Sequence, residues 1–174
     1  FDKPPLFYWL MAIFYSIPSN EIWDELGSIS GRLPSALSTL FLMIMIADTI
    51  FCSSENSEGK IQLSLIASLS FVLSPLIIIW SRTAVSDSLL CATLGASLLS
   101  FWRKISSDDR RLCIVPYIFL GFAILTKGPV AFVIIFNTLF IFFFIHKNWK
   151  NLLSKINPGK GLLLTFLISS PWYF

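Results

Sequence analysis

Residues 112–145 read LCIVPYIFLGFAILTKGPVAFVIIFNTLFIFFFI, and this stretch decides the fold. It is about 34 mostly apolar residues, broken only by Lys127-Gly128-Pro129. Arg103, Lys104, Arg110 and Arg111 precede it, and Lys147, Lys150, Lys155 and Lys160 follow it. Lys and Arg in short loops mark the cytoplasmic side of a membrane, so both flanks are expected inside. A chain that leaves one side and returns to it crosses twice, which places Lys127 at an outer-face turn. Pro129 suits the first turn of the returning helix, where its missing N–H costs nothing.

Composition extends this reading to the whole chain. Of 174 residues 55% are apolar and 13% charged, and the mean hydropathy is +0.76. Soluble domains are nearer 45–50% apolar and about 25% charged, so this chain has more apolar surface than a soluble core needs. The apolar runs are continuous. A membrane β-barrel would instead alternate apolar and polar residues in segments of about ten. The expected fold is an all-α integral membrane protein, a polytopic helical bundle. The chain opens on Phe1 and stops inside an apolar run, and is expected to be a piece of a longer protein without a signal peptide of its own. Cys52, Cys91 and Cys113 are scattered and lack metal-like spacing, which fits apolar packing.

Counting back from Arg103, the parity of crossings predicts spans at 33–51, 61–80, 88–102, 112–126, 129–145 and 161–174. These are about six transmembrane helices within a single domain, 1–174. The first apolar run is too short to span and is expected as an outer interfacial helix within 1–18, where Phe7, Tyr8, Trp9, Phe14 and Tyr15 suit the headgroup region. Nine of the thirteen basic residues then fall inside. Lys3, Arg32, Arg82 and Lys127 fall outside, where positive charge is scarce, together with Asp2, Glu21, Asp24, Glu25 and Asp87.

An outer cluster of both signs reads as a polar site. Arg binds phosphate oxygens through a planar fork and Lys as a compact point charge, so these cations can grip the phosphate of a lipid-linked donor. In a poorly hydrated cleft they would also stabilise charge developing on a leaving phosphate. Asp87 can orient an acceptor hydroxyl or help to hold a metal or the sugar. Each residue also has a plainer reading. Arg32 and Arg82 can snorkel to phospholipid headgroups, Asp87 can be a helix N-cap, and Lys127-Gly128-Pro129 can be an ordinary link. Asp48 fits a capping or pairing role at the cytoplasmic interface, and His146 starts a loop on the opposite face from the cluster.

Five strings occur in order: Lys3-Pro4-Pro5-Leu6-Phe7-Tyr8-Trp9-Leu10; Gly31-Arg32-Leu33-Pro34-Ser35-Ala36-Leu37; Arg82 with Asp87 before a helix; Leu125-Thr126-Lys127-Gly128-Pro129-Val130; and Pro171-Trp172-Tyr173. Together they resemble the polyprenyl-phosphate-sugar-dependent glycosyltransferases of the GT-C class, in particular the bacterial 4-amino-4-deoxy-arabinose lipid A transferase and dolichyl-phosphate-mannose protein mannosyltransferase group. The resemblance implies a multi-pass enzyme of the bacterial inner membrane that takes a sugar from an undecaprenyl-phosphate carrier at the periplasmic face. The acceptor is a lipid, glycan or protein. It implies that Lys3 contacts the carrier phosphate and that Asp87 is an accessory acid of the active site. The general base of the family lies in an outer loop upstream of the residues present here, so this chain alone is expected to be inactive. Some relatives carry an acid before the Lys-Pro-Pro motif that joins a metal site with downstream histidines. Asp2 matches that position, and a divalent metal stays open as a cofactor.

Two other classes stay open. A transporter or flippase for a lipid-linked or anionic solute would line its path with the same cations, but predicts midplane ionisable residues or broken helices in repeated halves. A scaffold subunit would carry the membrane fold without the chemistry. No nucleic-acid partner is expected.

Overall fold

The computed structural model describes residues 4–16, 28–54, 59–106, 113–145 and 149–173. Among these residues every regular element is a helix: α1 (Leu6–Ser16), α2 (Ser28–Ser53), α3 (Lys60–Val72), α4 (Pro75–Arg82), α5 (Ser86–Ser106), α6 (Val115–Lys127), α7 (Val130–Ile145), α8 (Trp149–Ile156) and α9 (Pro158–Tyr173). The chain divides into two compact units, one of 5–92 and one of 1–4 with 93–174, so that α5 contributes to both.

In the unit of 5–92, α2 is the centre and packs against α1, α3 and α4. Its buried face is small and polar: Ser30, Pro34, Ser35, Ser38 and Thr39, with Leu42 and Thr49 further along. Leu37, Leu40, Phe41, Ile44 and Phe51 of the same helix point outward. Small residues let helix backbones approach, and exposed Leu and Phe are stable where the surrounding medium is hydrocarbon. Among the described residues the buried Thr49 Oγ1 is left without a hydrogen-bond partner, whereas hydroxyls nearer the start of α2 bond within the helix or across it. Ser38 Oγ donates to the Pro34 carbonyl at 2.6 Å and Thr39 Oγ1 to the Ser35 carbonyl at 3.0 Å. Ser64 Oγ of α3 donates to the Ala47 carbonyl of α2 at 3.0 Å.

The other unit repeats this inverted arrangement. Gly161, Thr165 and Ser169, four apart on α9, are all buried against α6. Thr165 Oγ1 donates to the Tyr117 carbonyl at 3.2 Å, and Ser97 Oγ of α5 donates to the Pro116 carbonyl at 2.8 Å. Gly121 and Gly161 leave room for Ile168 and the Tyr117 ring. Outward lie Val133, Phe136, Phe140 and Phe144 of α7 and Leu163, Phe166 and Leu167 of α9. Among the described residues the buried polar side chains are all Ser or Thr except Lys104. This is the interior of a membrane protein.

The helices depart from the expected spans in informative ways. The span expected at 61–80 is two helices bent by 66°. Pro75 supplies no N–H for the Phe71 carbonyl and forces Ser74 to be extended, with φ −60° and ψ 128°. Ser74 N–H takes that carbonyl instead, at 3.2 Å. A second difference is at α2, which starts at Ser28, so Arg32 lies inside the helix rather than just before a span at 33–51. Likewise α5 runs from Ser86 to Ser106 where 88–102 was expected, which takes Asp87 into its first turn and Arg103 and Lys104 into its last. The stretch read as a plain basic loop between spans 129–145 and 161–174 contains α8. Among the described residues α2 is long and apolar enough to cross a bilayer, the bent pair α3 and α4 is so if it is one span, and α6 and α7 are shorter apolar helices. At 11 residues, α1 is only about 16 Å long and cannot.

Candidate functional site

The sequence-derived residues fall into two groups, one in each unit. In the unit of 1–4 with 93–174 the group forms around Gly128. After Lys127 closes α6, Gly128 takes φ 79° and ψ −156°, a region that is essentially Gly-only. Its N–H closes the helix on the Ile124 carbonyl at 2.7 Å, and the Gly128 and Pro129 carbonyls accept from Ala131 and Val133 to start α7. Pro129 therefore sits where its missing N–H does no harm. The same glycine faces residues of two other quoted strings. A Cβ at Gly128 would lie 3.4 Å from Tyr173 Oη and 3.9 Å from Pro4 Cγ. Three of the five quoted strings, those at 3–10, 125–130 and 171–173, thus meet at one point. Gly128 is buried while Lys127 beside it is exposed. Asp2 and Lys3 lie outside the described residues. Pro4, the neighbour of Lys3, fixes where that motif enters.

In the unit of 5–92 the second group is held by two hydroxyls. Ser35 Oγ on α2 donates to the Val85 carbonyl at 3.1 Å, and Ser88 Oγ on α5 donates to the Ser35 carbonyl at 2.8 Å. These bonds tie the turn 83–85 to the first third of α2. Arg32 is three residues from Ser35, Arg82 three from Val85, and Asp87 next to Ser88, so the same tie gathers all three charges at one end of the unit. Arg32 and Arg82 are both exposed. Asp87 sits at an N-terminus, where a negative charge is favoured by the helix dipole. Being already inside the helix, it is not the N-cap. On α1, Tyr15 and Met11 reach the same part of α2, with Tyr15 Oη 2.9 Å from where a Gly31 Cβ would stand.

The arrangement can present Lys127 to a phosphate at the Gly128 turn, and two cations with a carboxylate in the other group. Among the described residues no three of His, Cys, Asp or Glu come together as a metal site. Tyr173 is the residue that sequence reasoning left without a role. Its signal was a polar-tipped aromatic ending an apolar run, in a string already singled out.

Comparisons with known proteins follow the same lines. The family model described as dolichyl-phosphate-mannose-protein mannosyltransferase matches residues 2–174. The chain is 30% identical over 170 residues to the undecaprenyl phosphate-alpha-4-amino-4-deoxy-L-arabinose arabinosyl transferase of Wigglesworthia glossinidia brevipalpis, covering 95% of this chain and 27% of that protein. It is 31% identical over 177 residues to an uncharacterized protein of Aquifex aeolicus, covering 100% of this chain and 36% of that one. Among solved structures, ArnT from Cupriavidus metallidurans in the apo state superposes with a TM-score of 0.86 at 21% identity, over 99% of this chain and 31% of that one. The same protein bound to undecaprenyl phosphate gives 0.85 at 20% identity, over 99% and 30%. The chain thus spans about a third of the length of the relatives it matches, or less.

Proposed function

The chain belongs to the dolichyl-phosphate-mannose-protein mannosyltransferase family, and on that premise we propose that it is the part of a membrane glycosyltransferase that grips a polyprenyl-phosphate-linked sugar. The donor carrier is undecaprenyl phosphate, and the acceptor is a lipid, glycan or protein. The enzyme crosses the bacterial inner membrane, about six times within this stretch, with its site facing the periplasm. The observation that carries the reading is the meeting of Pro4, Gly128 and Tyr173, which brings the Lys3-Pro4-Pro5 and Lys127-Gly128-Pro129 strings together. The ArnT neighbour bound to undecaprenyl phosphate supports the choice of carrier.

In the transfer, the bond between the anomeric carbon and the carrier phosphate oxygen breaks while a bond to the acceptor oxygen forms. The acceptor proton passes to a base supplied upstream of this stretch. Negative charge grows on the departing phosphate. Lys3 and Lys127 oppose it, and their effect is large because surroundings of low dielectric screen them poorly. Arg82 and Arg32 add positive charge at their own end. Asp87 accepts a hydrogen bond from an acceptor or sugar hydroxyl and so orients it. Asp2 is the residue that a divalent metal would use.

One observation favours transport instead: α3 and α4 form a broken helix of the kind that lines transporter sites. The break lies at Pro75, however, and residues 61–81 carry no ionisable group for a solute to meet at mid-membrane. Transfer is therefore the better reading. The test is Lys3→Ala and, separately, Asp87→Ala in the full-length protein. Each should lower sugar transfer from an undecaprenyl-phosphate donor by roughly tenfold or more, about 1.4 kcal/mol of barrier, with membrane abundance unchanged. Full activity in either variant removes that residue from the site.

A further inference from the structure

The helix α7 is apolar from end to end except for Asn137 and Thr138 at its centre. Thr138 satisfies itself within the helix, donating from Oγ1 to the Ile134 carbonyl at 2.8 Å. Asn137 does not. Its side chain is exposed, and among the described residues no hydrogen bond engages its carboxamide. Asn137 stands midway between Val130 and Ile145, the two ends of the helix, with about 10 Å of helix on either side. A long Lys or Arg side chain can climb toward a headgroup from such a depth. A carboxamide on a single methylene cannot. If α7 crosses the bilayer, Asn137 therefore holds two N–H donors and a carbonyl in hydrocarbon, where an amide without a partner is costly.

The neighbours of Asn137 on the helix surface give the shape of the missing partner. Val130, Ile134, Asn137, Ile141 and Phe144 follow one another at alternating spacings of four and three, and all five are exposed. At 3.6 residues per turn they share one stripe roughly 80° wide. A stripe with this repeat is the seam along which a second helix packs. Inside membranes, Asn side chains hydrogen-bond across such pairs. The seam is distinct from the other faces of α7. Phe132, Phe136 and Phe140, whose rings stack along the helix, lie to one side of it, and Ala131 and Ile135 are buried on the face turned away from it.

We propose that this stripe seats a further membrane helix of the same polypeptide, one lying outside residues 1–174, which meets Asn137 with a hydrogen-bonding group at its own mid-depth. Acyl chains would suit the four apolar residues equally well but offer the amide nothing. The length of the relatives supplies the occupant. The chain covers 27% of one curated relative and 36% of another, so most of a protein of that length has its place outside this stretch. A second copy could also set amide against amide. A helix of the same polypeptide is favoured over it, because a tethered partner binds at a high effective concentration in every copy. The inference rests on α7 lying in hydrocarbon and not on the transfer reaction.

The test uses the full-length protein in lipid nanodiscs that hold a single copy. Ile134→Cys and Ile141→Cys, made separately in a background without other cysteines, carry nitroxide spin labels while Asn137 stays intact. Both labels should be immobilised and shielded from dissolved oxygen, relative to a lipid spin-labelled at mid-chain in the same discs. Labels as accessible to oxygen as that lipid overturn the proposal, because the stripe then faces acyl chains. Shielding that appears only in discs holding two copies overturns it too, because the occupant is then a second copy. The sign of a stability change gives an independent reading, and decides alone if the labelled variants do not fold. Asn137→Leu should lower the folding equilibrium constant by roughly threefold, the usual worth of one hydrogen bond between membrane helices. An unchanged or higher stability overturns the proposal, since that is what removing an unpaired amide from lipid would give.

Discussion

The contact of α6 with α9 and the contact of α1 with α2 are both built on glycines, yet the glycines face different things. Gly161 faces the ring of Tyr117 and Gly121 the branched side chain of Ile168, both held in a tightly packed seam. Gly31 faces the tip of Tyr15, an exposed side chain that can swing away, and the end of Met11. The first contact is a close approach of two helices, and the second is a surface helix resting on its neighbour. What a glycine is worth in a membrane bundle therefore depends on whether the atom opposite can move.

Substitutions test this difference in descending order. Gly161→Ala should cost the most, about 3 kcal/mol, the upper range for overpacking against a rigid neighbour, read as a loss of thermal stability in detergent. A melting curve like that of the wild type would mean the α6–α9 seam is loose, and the contrast would fail. Gly128→Ala should cost about 2 kcal/mol from its backbone conformation alone. It should also depress transfer by the full-length protein, because relieving the strained backbone would shift the turn relative to Tyr173 and Pro4. Loss of stability without loss of transfer would separate the turn from the site. Ser88→Ala removes one of the two bonds that tie the turn 83–85 to α2, and about 0.6 kcal/mol is the usual worth of such a bond in a membrane. Gly31→Ala should be nearly silent. Alanine favours a helix interior by about 0.8 kcal/mol, and moving Tyr15 offsets part of that gain. A large destabilisation there would show that α1 is seated as firmly as α9.

Much of the fold was legible, because continuous apolar runs can be read without knowing what they pack against. The places where reading failed have physical causes. Pro34 and Pro75 both fall in spans expected from sequence, Pro34 at the start of 33–51 and Pro75 well inside 61–80. Pro34 stays inside α2, buried among small residues, while Pro75 bends the chain by 66°. The difference lies in packing that a string does not show. The helix α8 was different, since Trp149, Leu152, Leu153 and Ile156 already follow the i, i+3, i+4, i+7 pattern of an amphipathic helix. Its four lysine neighbours drew attention to charge instead. At the candidate site, the Gly-Pro pair announced the turn at 127–129, and nothing local announced that Tyr173 would reach it. That contact forms because α9 returns along α6, a relation between residues more than forty positions apart. The tie from Ser35 to Val85 and Ser88 was hidden for the same reason, since serines in apolar runs give no sign of the carbonyl they will meet.

The small-residue stripe of α9 sets more than the spacing between two helices. Sliding α9 along α6 by one turn would bring Thr165 to the Tyr117 ring, where Gly161 leaves no room for even a methyl group. The axial register of the helix is thus locked at one end, and the helix carries that setting to the other. Tyr173 lies twelve residues on, about 18 Å away, and its height above Gly128 is fixed by a hydrogen atom at position 161.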